Sequence, residues 1–174
     1  MKRTIAIVAG GDSSELVVSL RSAQGLYSFI DKERYNLYIV EMEGHRWEVV
    51  LPDGSKTPID RNDFSFMENG EKKQFDFAYI TIHGTPGENG ILQGYFDLLG
   101  IPYSSCNVLV SAMTFNKFTC NQYLKGFGIR VAESLILRKG FEITDEEVIN
   151  KIRSALFHQA QRRRFQLRCH QSKD

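Results

Sequence analysis

Two polar, glycine-rich segments carry the residue types in this sequence that are best suited to chemistry. The longer segment, HGTPGENGILQG, begins at His83 and places Glu88 and Gln93 among four glycines. Glycine lets a ligand approach the backbone closely, and ordering several glycines costs entropy, so a purely connective role would be unfavourable. His83 could serve a ligand, or it could be a strand-end histidine bonded to a neighbour. The residues alone leave both interpretations open.

The shorter segment, GGDSSE at residues 10–15, turns from an apolar run into a helical pattern. Backbone N–H groups in such a turn could hold an anion, but many chains use glycine there only to change direction. Glu15 has a similarly simple explanation, because an acidic residue in the first turn of a helix interacts favourably with the helix dipole. The spacing favours the structural role, and we expect Ser13 or Ser14 to cap the helix.

The elements around these segments predict a sheet that brings both segments to one edge. Short apolar runs predict buried strands at 4–9, 36–41 and 75–82, and apolar residues recur at helical spacing from Leu16 to Tyr27. Strands that alternate with helices indicate a parallel α/β sheet. Ligands bind such sheets at the carboxyl ends of the strands. GGDSSE and HGTPGENG both lie at such ends.

The other predicted elements are a hairpin, three helices and two short strands. The hairpin turns at Asp53-Gly54. The predicted ranges are 47–51 and 56–59 for the hairpin, 92–99, 111–125 and 144–152 for the helices, and 101–103 and 131–137 for the strands.

Composition predicts a cytoplasmic protein of about one domain. The chain has 174 residues, of which 42% are hydrophobic, and this is enough to form a core. Its three cysteines lack metal-ligand spacing, which indicates a reducing compartment. The first apolar run is too short for a signal peptide or a membrane span, so we expect no membrane partner.

Basic residues are concentrated at one end of the chain. Residues 153–174, the basic tail, hold six of the 22 Lys and Arg and one of the 21 Asp and Glu, which leaves the preceding residues acidic. Such a tail could bind nucleic acid or form a partner helix. Because no nucleic-acid-binding motif accompanies it, we expect no nucleic-acid partner.

Three segments together resemble the D-alanine–D-alanine ligase family: GGDSSELVVSLRSA, HGTPGENGILQGYFDLLGIPYSS and SAMTFNKFTCNQYLKGFGI. These cytoplasmic ATP-grasp enzymes join two D-alanines for peptidoglycan, using ATP and Mg²⁺. The resemblance covers residues 1–152. It implies an α/β N-terminal domain at 1–106 with a Rossmann-like parallel sheet and flanking helices, and the start of a central ATP-grasp domain at 107–152.

The resemblance also implies roles for four residues. Glu15 matches the acid that binds the ammonium group of the first D-alanine, a contact suited to a carboxylate. Val18 lies one helical turn further on, where the family packs against that substrate, and His83 matches the histidine beside it. Lys117 matches the lysine that reaches the nucleotide phosphates. None of the four is a metal ligand.

Two positions depart from the family pattern. Asn89 and Asn116 stand where the family usually has aspartate. Because an amide replaces an acid at both positions, we expect weaker hydrogen bonding in the two loops and an unchanged fold.

The basic tail has no counterpart in the family, which continues with FIKP and a glycine-rich GGSSFG loop that binds ATP phosphates. Codons for RSALFHQAQ can be chosen so that reading one nucleotide later gives GLPCFIKP, and the run continues through GGSSFGV. We therefore hypothesise that residues 153–174 are an out-of-frame translation of the ATP-binding segment.

The resulting expectation is a ligase by lineage whose chain, as given, is an inactive fragment. Most ligands of ATP and Mg²⁺, and the second D-alanine site, lie beyond residue 152 in the family. The alternatives are a non-catalytic dimerisation module that acts through the N-terminal domain and, less favoured, a basic-tailed nucleic-acid binder.

Overall fold

The computed structural model describes residues 2–136 and 144. Its contacts form two compact units, of which the first ends at Ala112 and the second begins at Met113. No described helix is long and apolar enough to cross a membrane. The elements in chain order are β1 (Arg3–Gly10), α1 (Leu16–Phe29), β2 (Tyr35–Glu43), β3 (Arg46–Val50), β4 (Lys56–Pro58), β5 (Phe66–Glu68), β6 (Glu71–Lys73), β7 (Phe77–Ile80), α2 (Ile91–Leu99), α3 (Val108–Phe115) and α4 (Lys117–Gly126).

Five strands form the main sheet, in the order β4-β3-β2-β1-β7. The three predicted buried strands pair in parallel, with β1 between β2 and β7, and this confirms the α/β class. The predicted hairpin is β3 with β4, and it extends the sheet in antiparallel fashion beyond β2. The strand predicted at 101–103 is reduced to a parallel bridge between Tyr103 and Ala78.

The central strand β1 is covered on both faces, which explains its continuous apolar sequence. Ile7 and Ala9 pack with Ala23 of α1 on one face. Ala6 and Val8 face a larger cluster on the other. All five side chains are fully buried. Because the strand is buried on both faces, its carboxyl end is held rigidly where the first glycine turn begins.

Aromatic side chains fill the second face of the sheet. This aromatic cluster consists of Tyr38, Phe64, Phe66, Phe75, Tyr95 and Phe96. Phe64 is fully buried, and its ring centroid lies 5.2 Å from that of Phe75 and 5.0 Å from that of Phe96. Its φ of 56° is unusual for a bulky side chain. The surrounding rings therefore hold the backbone in a conformation that Phe64 would not adopt alone.

The hairpin of β5 and β6 was not predicted from the sequence, although a signal for it is present. Asn69 and Gly70 connect the two strands and both have positive φ, as a tight hairpin turn requires. The strands are only three residues long, too short for a clear alternating pattern. Tertiary contacts fix them: the Tyr38 hydroxyl donates to Glu68 Oε2 over 2.9 Å, and Lys73 bonds to the same carboxylate.

The single helix predicted at 111–125 is wrong, because the structure has two helices there. Asn116 separates α3 from α4 with an extended ψ of 97°. Its Oδ1 accepts a hydrogen bond from the Thr119 N–H over 3.1 Å and so caps α4. The apolar periodicity continues across the break, which explains why the sequence pattern hid it.

The strand predicted at 131–137 is also wrong over residues 131–136, which form no strand. A strand needs a neighbour to satisfy its backbone, and no described strand pairs with this segment. The helix predicted at 144–152 lies outside the described residues except for Thr144, and the basic tail lies outside them completely.

Candidate functional site

Two loops meet at the carboxyl edge of the sheet. The first loop, residues 10–15, follows β1, and the second loop, residues 83–90, follows β7. Because β1 and β7 are adjacent and parallel, both loops leave the sheet at the same edge. The sequence predicted this placement from the strand pattern.

The first loop is fixed by its own backbone donors. The Gly11 N–H donates to Met42 O over 2.7 Å, and the Asp12 N–H donates to Thr85 O in the second loop over 3.1 Å. The Gly10 N–H donates to Ser19 Oγ of α1 over 2.9 Å. These three groups are occupied by the protein, so they do not form an anion cradle. For these three donors the structure shows the structural role that the spacing favoured.

Ser13 joins the two loops through its side chain. Its hydroxyl donates to the His83 carbonyl over 3.0 Å and accepts from the Glu15 N–H over 3.2 Å. The expectation that Ser13 or Ser14 caps α1 is wrong, because Glu15 occupies the N-cap position and makes no side-chain cap bond. Sequence spacing could not reveal the role of Ser13, since its partner lies 70 residues away.

The second loop is closed by side chains of its own. Glu88 Oε2 accepts from the Gly84 N–H over 2.6 Å, and Asn89 Nδ2 donates to Thr85 Oγ1 over 3.0 Å. Asn89 Oδ1 also accepts from the Ile91 N–H over 3.2 Å. The Asn89 amide therefore both donates and accepts within the loop, and the expected weakening relative to an aspartate stays a prediction. Asn116 likewise makes its capping bond.

Glu15 and Val18 lie at the start of α1, beside the joined loops. They are three residues apart, a spacing that places them on the same face of a helix. Both are exposed, Val18 by 52%, whereas His83 is half-buried. The Glu15 carboxylate has no hydrogen bond or ion pair within the part of the chain that the structure describes. The arrangement offers an anionic group and an apolar group to a small ligand near His83.

Lys117 belongs to the second unit. It is the first residue of α4, directly after the capping residue Asn116, and its side chain is exposed. A flexible cation at this point can reach an anionic ligand. Elsewhere in this unit, Lys125 Nζ donates to Glu133 Oε1 over 2.6 Å. Lys117, to which the family resemblance assigns phosphate binding, is therefore an accessible lysine at the start of a helix that Asn116 caps.

Charged groups in a neighbouring cleft are already paired. The cleft is lined by Gly10, Leu16, Leu20, Glu41, Met42, Glu43, Arg46 and Glu48. Glu43 pairs with Arg46 over 2.7 Å, and Glu41 pairs with Lys56 over 2.5 Å. The exposed carboxylate of Glu15 is thus the better candidate for binding a cation. Among residues 2–136 and 144, no three His, Cys, Asp or Glu side chains lie together as metal ligands.

Comparisons with known proteins agree on one family. The family model described as the D-Ala D-Ala ligase N-terminus matches residues 4–106. The D-alanine–D-alanine ligase of Bacteroides fragilis (strain YCH46) is 74% identical over 152 residues, which are 87% of this chain and 47% of that protein. The chain thus spans about half the length of the curated relatives it matches.

Two solved structures extend the likeness to three dimensions. The crystal structure of D-alanine-D-alanine ligase from Aeromonas hydrophila is 29% identical with a TM-score of 0.70, over 84% of this chain and 54% of that one. The ligase from Bacillus anthracis complexed with ATP is 26% identical with a TM-score of 0.69, over 89% of this chain and 47% of that one.

Proposed function

This chain belongs to the D-alanine–D-alanine ligase family, and we propose that its first unit supplies the binding site for the first D-alanine in ATP-dependent ligation of two D-alanines. The observation that carries this proposal is the bridge from Ser13 Oγ to the His83 carbonyl over 3.0 Å. It joins the loop that leads to Glu15 with the loop that begins at His83. Two segments separated by about 70 residues are thereby combined into one site.

Each residue has a task that follows from its chemistry. The exposed Glu15 carboxylate binds the ammonium group of D-alanine through charge-assisted hydrogen bonds. Val18 contacts the small apolar part of the substrate from the same helix face, and His83 lies beside it. A carboxylate that holds the ammonium group fixes the orientation of the substrate, so its carboxylate can face the nucleotide.

The proposed reaction also requires ATP and Mg²⁺. Lys117 contacts the nucleotide phosphates, where a mobile ammonium group is appropriate. Mg²⁺, when bound, neutralises phosphate charge, and we assign it no ligand among the described residues. The product serves peptidoglycan synthesis, which places the protein in the cytoplasm.

Binding of D-alanine to the purified chain tests this function. Titration calorimetry should detect D-alanine binding, and Glu15→Gln should weaken it by about tenfold or more because a charge-assisted contact is lost. Glu71→Gln is the matched control, since Glu71 is exposed on β6, away from both loops. Binding that survives Glu15→Gln unchanged, or that is equal for L-alanine, would contradict the assignment.

The 174-residue chain by itself is not expected to catalyse ligation. It spans about half the length of its curated relatives, so it contains only part of their sequence. Purified chain with ATP, Mg²⁺ and D-alanine should release no phosphate above a control without D-alanine. Measurable release that depends on D-alanine would overturn this expectation.

The out-of-frame origin of the basic tail remains a hypothesis about the gene. The encoding DNA tests the hypothesis directly: one nucleotide out of frame, the codons from Arg153 onward should read FIKP and then GGSSFG. Stop codons in the shifted reading frame, or a translated sequence without FIKP and GGSSFG, would exclude the hypothesis.

Self-association is a second proposal, and exposed apolar residues of the first unit favour it. Leu98 on α2 is 88% exposed and Leu109 on α3 is 72% exposed, and apolar surface of this kind can mark an interface. Sedimentation velocity should show a dimer that Leu98→Ser or Leu109→Ser weakens. A monomer at high concentration would exclude it.

Salt-sensitive DNA binding that requires residues 153–174 would instead favour a nucleic-acid partner.

A further inference from the structure

The side-chain amide of Gln93 is buried where α2 contacts the second loop. Gln93 has no exposed surface. Its Nε2 donates one hydrogen bond to the Gly87 carbonyl over 2.7 Å and a second to Ser105 Oγ over 2.8 Å. One amide therefore connects three segments: α2, the second loop, and the chain that follows Tyr103.

The oxygen of the same amide is left without a partner. Gln93 Oε1 is buried and accepts no hydrogen bond from the described residues. Exchanging the two amide atoms would not help, because the Gly87 carbonyl can only accept and would then face another acceptor. Buried acceptors without donors are rare and unfavourable. The orientation shown is therefore the one that lets Nε2 donate to both Gly87 and Ser105.

The third segment is itself attached to the sheet. The Ser104 N–H donates to Ala78 O over 3.1 Å, and Ser104 Oγ accepts from the Ile80 N–H over 3.0 Å. Ser105 therefore follows a residue that is fixed on β7. Through Gln93, the Gly87 carbonyl is held at a set position relative to the strand that leads into the second loop.

We infer that Gln93 is a positioning residue for the first D-alanine site, an inference that rests on the proposed function. It does not contact the substrate. It holds the second loop through Gly87, so that the His83 carbonyl stays in place for Ser13 and the Thr85 carbonyl stays in place for the Asp12 N–H.

Gln93→Met tests the inference, because methionine has a similar shape and cannot donate a hydrogen bond. Two amide protons report on the loop: that of Asp12, bonded to Thr85 O, and that of Glu88, bonded to Gly84 O. Hydrogen exchange at both should accelerate by about tenfold or more in the variant. D-alanine should bind about tenfold more weakly, as expected for loss of a hydrogen bond that orders the site. Ser105→Ala, which removes one acceptor and keeps the bond to Gly87, should have a smaller effect on both.

Val49→Ala is the control for general destabilisation. Val49 is fully buried on β3, and its truncation should lower the unfolding temperature without altering exchange at the two loop amides. If Gln93→Met changes loop exchange and D-alanine affinity no more than Val49→Ala does, the inference is wrong. It is equally wrong if exchange accelerates and affinity is unchanged. If the wild-type chain itself fails to bind D-alanine, the proposed function fails, and the exchange measurement still decides whether Gln93 holds the loop.

Discussion

The two loops of the candidate site and the aromatic cluster are ordered by different kinds of contact. In the loops, backbone groups make most of the contacts, either with one another, as between the Asp12 N–H and the Thr85 carbonyl, or with polar side chains, as between the His83 carbonyl and Ser13 Oγ. In the aromatic cluster, side chains do so, and rings surround Phe64 on several sides. Beside these loops, the side chains of Glu15 and Val18 are exposed and take no part in the contacts. The residues that stabilise the fold therefore differ from those proposed to bind the substrate.

Truncating Phe64 should produce the largest loss of stability. Phe64→Ala removes a fully buried ring from the aromatic cluster, and we expect the free energy of unfolding to fall by about 3–5 kcal/mol. Urea denaturation measures the loss. Phe29→Ala is the matched control, because Phe29 is 88% exposed and its loss should have little effect. Similar losses for the two variants would show that the aromatic cluster is not the stabilising region.

Adding a side chain to Gly87 should damage binding more than stability. A Cβ at Gly87 would overlap the backbone of Ile82, so the second loop must move. We expect a loss of about 1–3 kcal/mol in stability, as for other overpacked sites, together with loss of D-alanine binding. Calorimetry and urea denaturation of Gly87→Ala measure both quantities. Retained affinity would show that this close approach does not position the site.

Removing the Lys73 ammonium group should destabilise the hairpin of β5 and β6, because the buried carboxylate of Glu68 on β5 then lacks its ion-pair partner. Lys73→Met leaves the buried Glu68 carboxylate without its cation. We expect a loss of about 1–2 kcal/mol, less than for a fully buried pair because the Lys73 side chain is 36% exposed. The bond to Glu68 also raises the pKa of Lys73, so its contribution should disappear at strongly alkaline pH. Urea midpoints from neutral to high pH measure both effects. Lys72→Met on the same strand is the control and should cost less.

The smallest predicted effect is an acid-dependent one at Asp63. The hydrogen bond from Lys72, followed by bonds from Ser65, lowers the pKa of Asp63 to about 2. A carboxyl group with a lowered pKa stabilises the fold above its ordinary pKa near 3.8, and this contribution is lost as the pH falls toward 2. Asp63→Asn should flatten the stability profile over that interval. In Lys72→Met, NMR titration should find the Asp63 pKa nearer its ordinary value, and an unmoved midpoint would refute the assigned cause.

Much of the site could be anticipated from the sequence because strand direction decides which loops meet. The buried runs before GGDSSE and HGTPGENG predicted strand ends at the same edge of a parallel sheet, and β1 and β7 are parallel; that they are neighbours was not predicted. The roles of Glu15, Val18, His83 and Lys117 came from resemblance and remain predictions. The link through Ser13 could not be anticipated, since local spacing does not reveal a partner 70 residues away.

The secondary-structure predictions were wrong where the local sequence pattern and the local backbone geometry disagree. Apolar periodicity runs through Asn116, yet its side chain caps a new helix, so one predicted helix became two. Alternation at 131–136 predicted a strand, but a strand forms only where a neighbour satisfies its backbone. The Asn69-Gly70 turn was a usable signal for the hairpin of β5 and β6, and the shortness of the strands concealed it.

By itself, the sequence determined the α/β class, the edge at which the candidate site lies and the family to which the chain belongs. These properties depend on apolar runs, on strand direction and on motifs that occur within single segments. The tertiary structure alone decided that Ser13 joins the two loops, that the first loop uses its own donors and that Gln93 holds the second loop. Such contacts join residues from separate segments, and their distances and burial follow only from the packed fold.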